Sequence, residues 1–252
     1  MSTLQQDFDR IALVSEDGGA HNDHYHNFLL RHRPANCQNV LEIGCGTGAF
    51  ARRLAERSEA GSAGSLPAFS ASDRFSPAVR VLALDLSPEM IRLARERSSQ
   101  FPNITFELAD VRDRPLPKES FDCIVTIATL HHLAYAETLL QMKAALKPGG
   151  VLLVLDLFEP ASISDSLLAG LSDSMLNLVA IPVSVTLRLI HHGRLLPRRE
   201  VRAAWAAHQH NDLYPTMREV RDVCASILPG ARIQQHLLWR YSIVWRKLQS
   251  QL

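Results

Sequence analysis

At 252 residues the chain is long enough to bury a substantial core as one large domain, or as a domain with a covering segment. With 27 Lys and Arg against 26 Asp and Glu, its net charge of +1 excludes a global field that would recruit nucleic acid or an anionic membrane, so a small-molecule partner is the default. Cys37, Cys45, Cys123 and Cys224 form neither C-x-x-C pairs nor a dense framework, and a reduced, cytoplasmic protein is expected.

Met1 to Arg10 is polar and carries Asp7 and Asp9, so no secretory signal is expected there. Asn22 to Leu30 reads as a helix, with Tyr25, Phe28 and Leu29 on one side at helical spacing. His21, His24 and His26 cluster around it. Positions 24 and 26 point to different helix faces, so no metal site is expected; a solvated face, or an acid/base or positioning role for one histidine, remains.

Asn39 to Ile43 is an apolar strand that runs into Gly44-Cys45-Gly46-Thr47-Gly48, and Ala49 to Arg57 follows as an amphipathic helix. A strand, a glycine-dense turn and a helix in this order present backbone N–H groups to a nucleotide-like ligand. Gly44, Gly46 and Ala49 satisfy the dinucleotide pattern G-x-G-x-x-G/A, whereas Glu42, Gly44, Gly46 and Gly48 satisfy E-x-G-x-G-x-G. The second fit is better, because an acid two residues before the first glycine is awkward beside a pyrophosphate and useful beside an ammonium or sulfonium. On these residues the chain resembles the class I S-adenosylmethionine-dependent methyltransferases.

Ser58 to Pro77 is a surface insertion by composition. It accounts for Asp85 lying 37 positions after Gly48, beyond the usual spacing of about 20 for a strand-ending acid. Val79 to Leu84 is a strand ended by Asp85, which suits ribose hydroxyls, and Leu86 adjoins it. Ser87-Pro88-Glu89 starts a helix with Ser87 as N-cap, and Met90 either packs on an adenine face or belongs to the core. Asn103 to Leu108 is a third strand. The resemblance places Asp110 near the adenine amino group and the Val111 backbone beside the ring.

Phe121 to Ala128 is a fourth strand, nearly continuous in apolar residues as a doubly buried one should be. The resemblance runs its end, at Ile127, under the methionine part of the cofactor, and sets Leu130-His131-His132-Leu133 at the acceptor border. Ala136 to Leu146 is a helix stopped by Lys147-Pro148-Gly149-Gly150, and Val151 to Leu155 is a fifth strand. Phe158 to Asn211 holds enough sequence for two or three helices, at Ser166 to Ile181, Val183 to Ile190 and Glu200 to His210. Their apolar content suits a lipophilic or aromatic acceptor, or packing within the chain or across a homodimer contact. Charged and helix-breaking residues within Leu167 to Ile190 argue against a membrane span. Tyr214-Pro215-Thr216 opens a last helix, and Ala231 to Trp239 and Tyr241 to Arg246 resemble a closing antiparallel pair.

The alternation of strands and helices predicts an α/β fold, a Rossmann-like, doubly wound, seven-stranded and mostly parallel sheet with an antiparallel strand near the C-terminus and a helical lid insertion. The expected organisation is an N-terminal helical cap at 1–35, a cofactor-binding core at 36–157, a lid or acceptor-side insertion at 158–213, and a last helix and strand pair at 214–252. The expected function is methyl transfer from S-adenosyl-L-methionine, with S-adenosyl-L-homocysteine as product, to O, N or S of a small, lipophilic or aromatic molecule. His132, then His24 and His26, are the candidate bases, since a histidine near neutrality suits that task. Glu42, Gly44, Cys45, Gly46, Gly48, Asp85, Leu86, Met90, Asp110, Val111 and Ile127 are the candidate cofactor residues. The competing readings are a non-catalytic S-adenosylmethionine-binding or scaffold protein and a nicotinamide-dependent oxidoreductase.

Overall fold

The computed structural model describes residues 3–14, 22, 25–59, 79–159, 182, 186, 189, 198–209 and 212–249. The elements are α1 (Leu4–Val14), α2 (His26–His32), β1 (Asn39–Ile43), α3 (Ala49–Glu59), β2 (Arg80–Asp85), α4 (Pro88–Arg97) and β3 (Ile104–Leu108). They continue with β4 (Phe121–Ile127), a short 3₁₀ turn (Leu130–His132), α5 (Tyr135–Ala145), β5 (Leu146–Leu157), α6 (Arg199–Gln209), α7 (Met217–Ile227), β6 (Arg232–His236) and β7 (Arg240–Arg246).

The seven strands form one sheet in the order β3-β2-β1-β4-β5-β7-β6. Strands β1 to β5 pair in parallel, and β7 is antiparallel to both of its neighbours, β5 and β6. This is the expected sheet. Its order reverses between β1 and β4, which opens a crevice at the carboxyl ends of those two strands.

Alternation along each strand feeds two cores. Leu41 and Ile43 of β1, Ile124 of β4, and Leu152 and Val154 of β5 pack on one face with Leu139, Met142, Val220 and Cys224 of α5 and α7. Val40, Cys123, Val125, Leu153 and Leu155 face the other way, onto Leu29 and Leu30 of α2, Phe50 and Leu54 of α3, and Ile91 of α4. Burial on both faces explains why these strands read as largely apolar runs. Truncating any of these leucines to Ala is expected to cost about 2–5 kcal/mol.

Helix starts follow the sequence closely. Ser87 Oγ caps α4 by accepting from Met90 N–H at 3.1 Å, and Thr216 and Glu219 form a reciprocal capping box at α7. Three details differ from expectation. Strand β5 begins at Leu146, so Lys147 to Gly150 lies within a strand, with a register shift where β4 pairs with it between Phe121 and Cys123. The final hairpin turns at Leu237–Trp239, where Leu238 and Trp239 adopt φ of 61° and 54°, so the first strand of the pair stops at His236, short of Trp239, and Arg240 already opens β7. Helix α1 was not anticipated as a separate element. The insertion at 60–78 and most of the helices expected at Ser166 to Ile181 and Val183 to Ile190 lie outside the described residues, whereas the third expected helix is α6. Among the described residues no helix is long and apolar enough to cross a membrane.

Candidate active site

The crevice is lined by the ends of β1, β2 and β4 and covered by α1, α2 and α6. Glu42, Gly44, Cys45, Gly46, Asp85, Leu86, Met90, Asp110 and Ile127 all face this one cavity, so residues from four separate segments converge as the strand-end argument requires. His26 and His132 line it too. His24 lies outside the described residues.

The glycine loop is built differently from an anion cradle. Gly44 and Cys45 donate their N–H groups to the Leu84 carbonyl at 2.8 and 2.9 Å, and Gly48 donates to Cys45 O at 2.9 Å. Gly46 N–H is given to Asp85 Oδ2 at 2.8 Å. Four donors of the loop are therefore satisfied inside the protein, which disfavours a pyrophosphate seated on the loop itself. Gly44 is required sterically. At φ +73° an added Cβ would sit 2.0 Å from Thr129 Oγ1.

Two nominated residues do not line the cavity. Gly48, at φ +76°, is a packing glycine, because a Cβ there would meet the Phe106 ring at 2.8 Å and close the contact between the loop and β3. Val111 sends its side chain into the core, as the expected backbone contact allows, and its neighbour Arg112 faces the cavity.

Glu42 is the electrostatic centre. Its side chain lies on the sheet face packed by α2 and α3, only 2 % exposed, and its Oε2 has no hydrogen-bond partner. Burial, and secondarily the Asp85 carboxylate, push its pKa up to about 8 against the opposing pull of Arg52. An orphaned buried carboxyl beside a cavity is a site for a cationic group, so the residues present fit the α-ammonium or sulfonium of S-adenosylmethionine. Asp85 is also raised, by burial first, and its Oδ1 accepts from Ser87 N–H at 2.9 Å, which fixes the plane of its carboxylate while leaving lone pairs for hydroxyl donors. Asp110 is tied by a bidentate pair to Arg112, with 2.5 Å at the shorter arm, and the hydrogen bonds from Arg112 hold its carboxyl below the usual range. Met90 is both core and wall, packed on Ile11 and Ala12 of α1 while facing the cavity. Cys45 is buried, and burial raises its thiol well above the usual value, so it is no nucleophile.

The opposite wall carries side chains that spacing did not flag. Leu4 and Phe8 of α1, Trp205 of α6, and Leu133 line it. Helix α1 is fastened to the start of α4, where Asp9 Oδ1 accepts from Ser87 Oγ at 2.5 Å. The Phe8 ring packs at 5.5 Å on His132 and at 4.7 Å on His208. The only sequence trace of α1 is the helical spacing of Leu4, Phe8, Ile11 and Ala12.

His132 is only partly what was expected. Burial, then the neighbouring imidazoles of His131 and His208, push it down to about 3, far from the near-neutral value that suits a general base. At neutral pH it is an uncharged hydrogen-bonding group. His131, its ring tilted against His132 at 3.8 Å, has Nδ1 held 2.6 Å from Asp156 Oδ1. His26 is buried against the Phe50 ring at 4.9 Å.

A family profile described as a methyltransferase domain matches residues 36–219. An uncharacterized methyltransferase of Mycobacterium tuberculosis is 30% identical over 229 residues, covering 89% of this chain and 95% of that protein. A demethylmenaquinone methyltransferase of Tropheryma whipplei is 33% identical over 124 residues, 49% of this chain and 43% of that protein. Among solved structures, the N-methyltransferase NodS of Bradyrhizobium japonicum in complex with S-adenosyl-L-homocysteine shares the fold with a TM-score of 0.59 at 17% identity, covering 98% of this chain and 99% of that one. The profile match, the full-length relative and the sheet order converge on one conclusion: this chain belongs to the class I S-adenosylmethionine-dependent methyltransferases and is an enzyme that uses S-adenosyl-L-methionine.

Proposed function

We propose that the enzyme methylates an O, N or S atom of a small acceptor with an aromatic or lipophilic body. The observation that carries this reading is the continuity of the cavity. One end is set by the carboxyls of Glu42 and Asp85, and the other by Leu4, Phe8, Leu133 and Trp205 around His132. The demethylmenaquinone named for the Tropheryma whipplei relative supports a small-molecule acceptor.

When bound, S-adenosylmethionine supplies a methyl group already activated on a sulfonium, so the protein needs no covalent nucleophile. Glu42 would hold the cationic amino-acid end and Asp85 the ribose hydroxyls, and Met90, Asp110 and Arg112 would close the adenine end. Phe8 and Trp205 hold the flat or apolar body of the acceptor and exclude water, and alignment of this kind contributes on the order of 7–11 kcal/mol where it is good. His132, uncharged, would position the acceptor at this end of the cavity.

The test is transfer of labelled methyl to phenol, amine and thiol panels of graded hydrophobicity. Transfer is expected to at least one panel, with KM raised in Phe8→Ala and Trp205→Ala. Methylation of a polymer or carrier-borne acceptor alone, with no transfer to any free small molecule, would overturn the reading.

A further inference from the structure

We infer that His131, His132 and Asp212 form a binding site for a divalent first-row transition metal at the acceptor end of the cavity. One donor atom from each of the three lies within 4.8 Å of the others. His132 Nδ1 stands 3.5 Å from Asp212 Oδ1, and the His131 and His132 rings sit face to tilted face at 3.8 Å. The His–Asp separation is longer than the 2.7–3.2 Å of an N–H···O hydrogen bond. It matches two donors sharing a central ion, which at metal–nitrogen distances near 2.0 Å stand roughly 3.3 Å apart. Closing the wider pairs requires movement on the order of 1 Å.

The surroundings make the stronger case. His131 has Nδ1 engaged by buried Asp156 at 2.6 Å, which leaves Nε2 for a metal and reproduces the carboxylate–histidine–metal arrangement that orients ligating imidazoles. Asp212 has its other oxygen held by the Tyr214 hydroxyl at 2.9 Å, with His208 Nε2 3.6 Å away, so Oδ1 is the oxygen presented to the histidines. Two of three ligands thus have outer partners already in place. The side chains of His131, His132 and Asp212 are 4–7 % exposed, and only His132 also lines the cavity. Two imidazoles and one carboxylate favour Zn²⁺, Fe²⁺, Co²⁺ or Ni²⁺ over Mg²⁺ or Ca²⁺. With three protein ligands the ion keeps open positions. That an acceptor oxygen or sulfur occupies one of them rests on the function proposed above, whereas binding of the ion does not.

The experiment is titration of the chelator-treated 252-residue chain with Co²⁺, read by its visible d–d absorption, and with Zn²⁺, read by calorimetry. One equivalent is expected, with affinity reduced at least tenfold in the isosteric Asp212→Asn and in His132→Ala. Asp156→Asn should weaken binding about 10–100-fold while leaving stoichiometry at one, and His236→Ala, on the far hairpin, should change nothing. Circular dichroism checks that each variant is folded. Absence of a bound equivalent, or binding undiminished in folded Asp212→Asn and His132→Ala, would overturn the assignment whether or not methyl transfer is found.

Discussion

The two walls of the cavity are made in different ways. The wall formed by β1, β2 and the glycine loop is a network of main-chain hydrogen bonds drawn from one continuous sheet, with Asp85 bonded to Gly46 and Ser87 and with Leu84 O serving both Gly44 and Cys45. The wall formed by α1, α6 and the segment at His132 and Leu133 consists of side chains from distant parts of the sequence, held by ring contacts and by the Asp9–Ser87 bond. The first wall has one backbone solution and tolerates little change. The second can vary its side chains without disturbing the sheet, and on the function proposed above this is where substrate choice would reside.

The sharpest way to break this contrast is at the loop. Gly44→Ala should cost about 3 kcal/mol or more and abolish cofactor binding, because the new Cβ meets Thr129 at 2.0 Å in a left-handed conformation. Gly46→Ala meets nothing within 4 Å and should lose only the smaller conformational penalty at its φ of +52°. Equal losses in thermal melts of the two would refute the steric account.

Glu42→Gln separates stability from function. Between the unfolded value near 4.5 and the folded value of about 8, the native carboxyl keeps a proton that the unfolded chain releases, so this group's contribution makes stability fall as pH rises through that window. Removing the ionisable group should therefore stabilise the protein near neutral pH by up to about 3 kcal/mol, while weakening cofactor binding about 10–100-fold through loss of a charged partner. A variant that loses both stability and affinity would argue for a plain structural role.

On the covering wall, Phe8→Ala and Trp205→Ala should each raise the acceptor KM by about tenfold and leave cofactor affinity within about twofold. Asp9→Ala removes an acceptor from the start of α4 and should cost only about 1 kcal/mol. Smallest of all, His132→Ala should leave the shape of the pH–rate profile between about pH 6 and pH 8 unchanged, because its imidazole does not titrate there.

How much of this was legible follows the same division. Glu42, Gly44, Asp85 and Ser87 sit at strand and helix ends, where periodicity, glycine spacing and capping chemistry leave readable marks. What the loop N–H groups bond to could not be read, since it depends on how β2 packs against the turn. Asp212 and His208 meet His132 only in the assembled fold, from far along the sequence, and no local pattern marks such a meeting. The protonation of His132 was misjudged because burial, unlike residue type, is a property of the assembled wall.

The central claim is that a buried, protonated Glu42 is where the cationic end of the cofactor is held. Its most direct test is calorimetry of S-adenosyl-L-homocysteine, whose amino group carries the charge, near neutral pH in two buffers of different ionisation enthalpy. Release of close to one proton on binding is predicted in the wild type, and none in Glu42→Gln. Tight binding with no proton exchange, or equal exchange in both proteins, would contradict it.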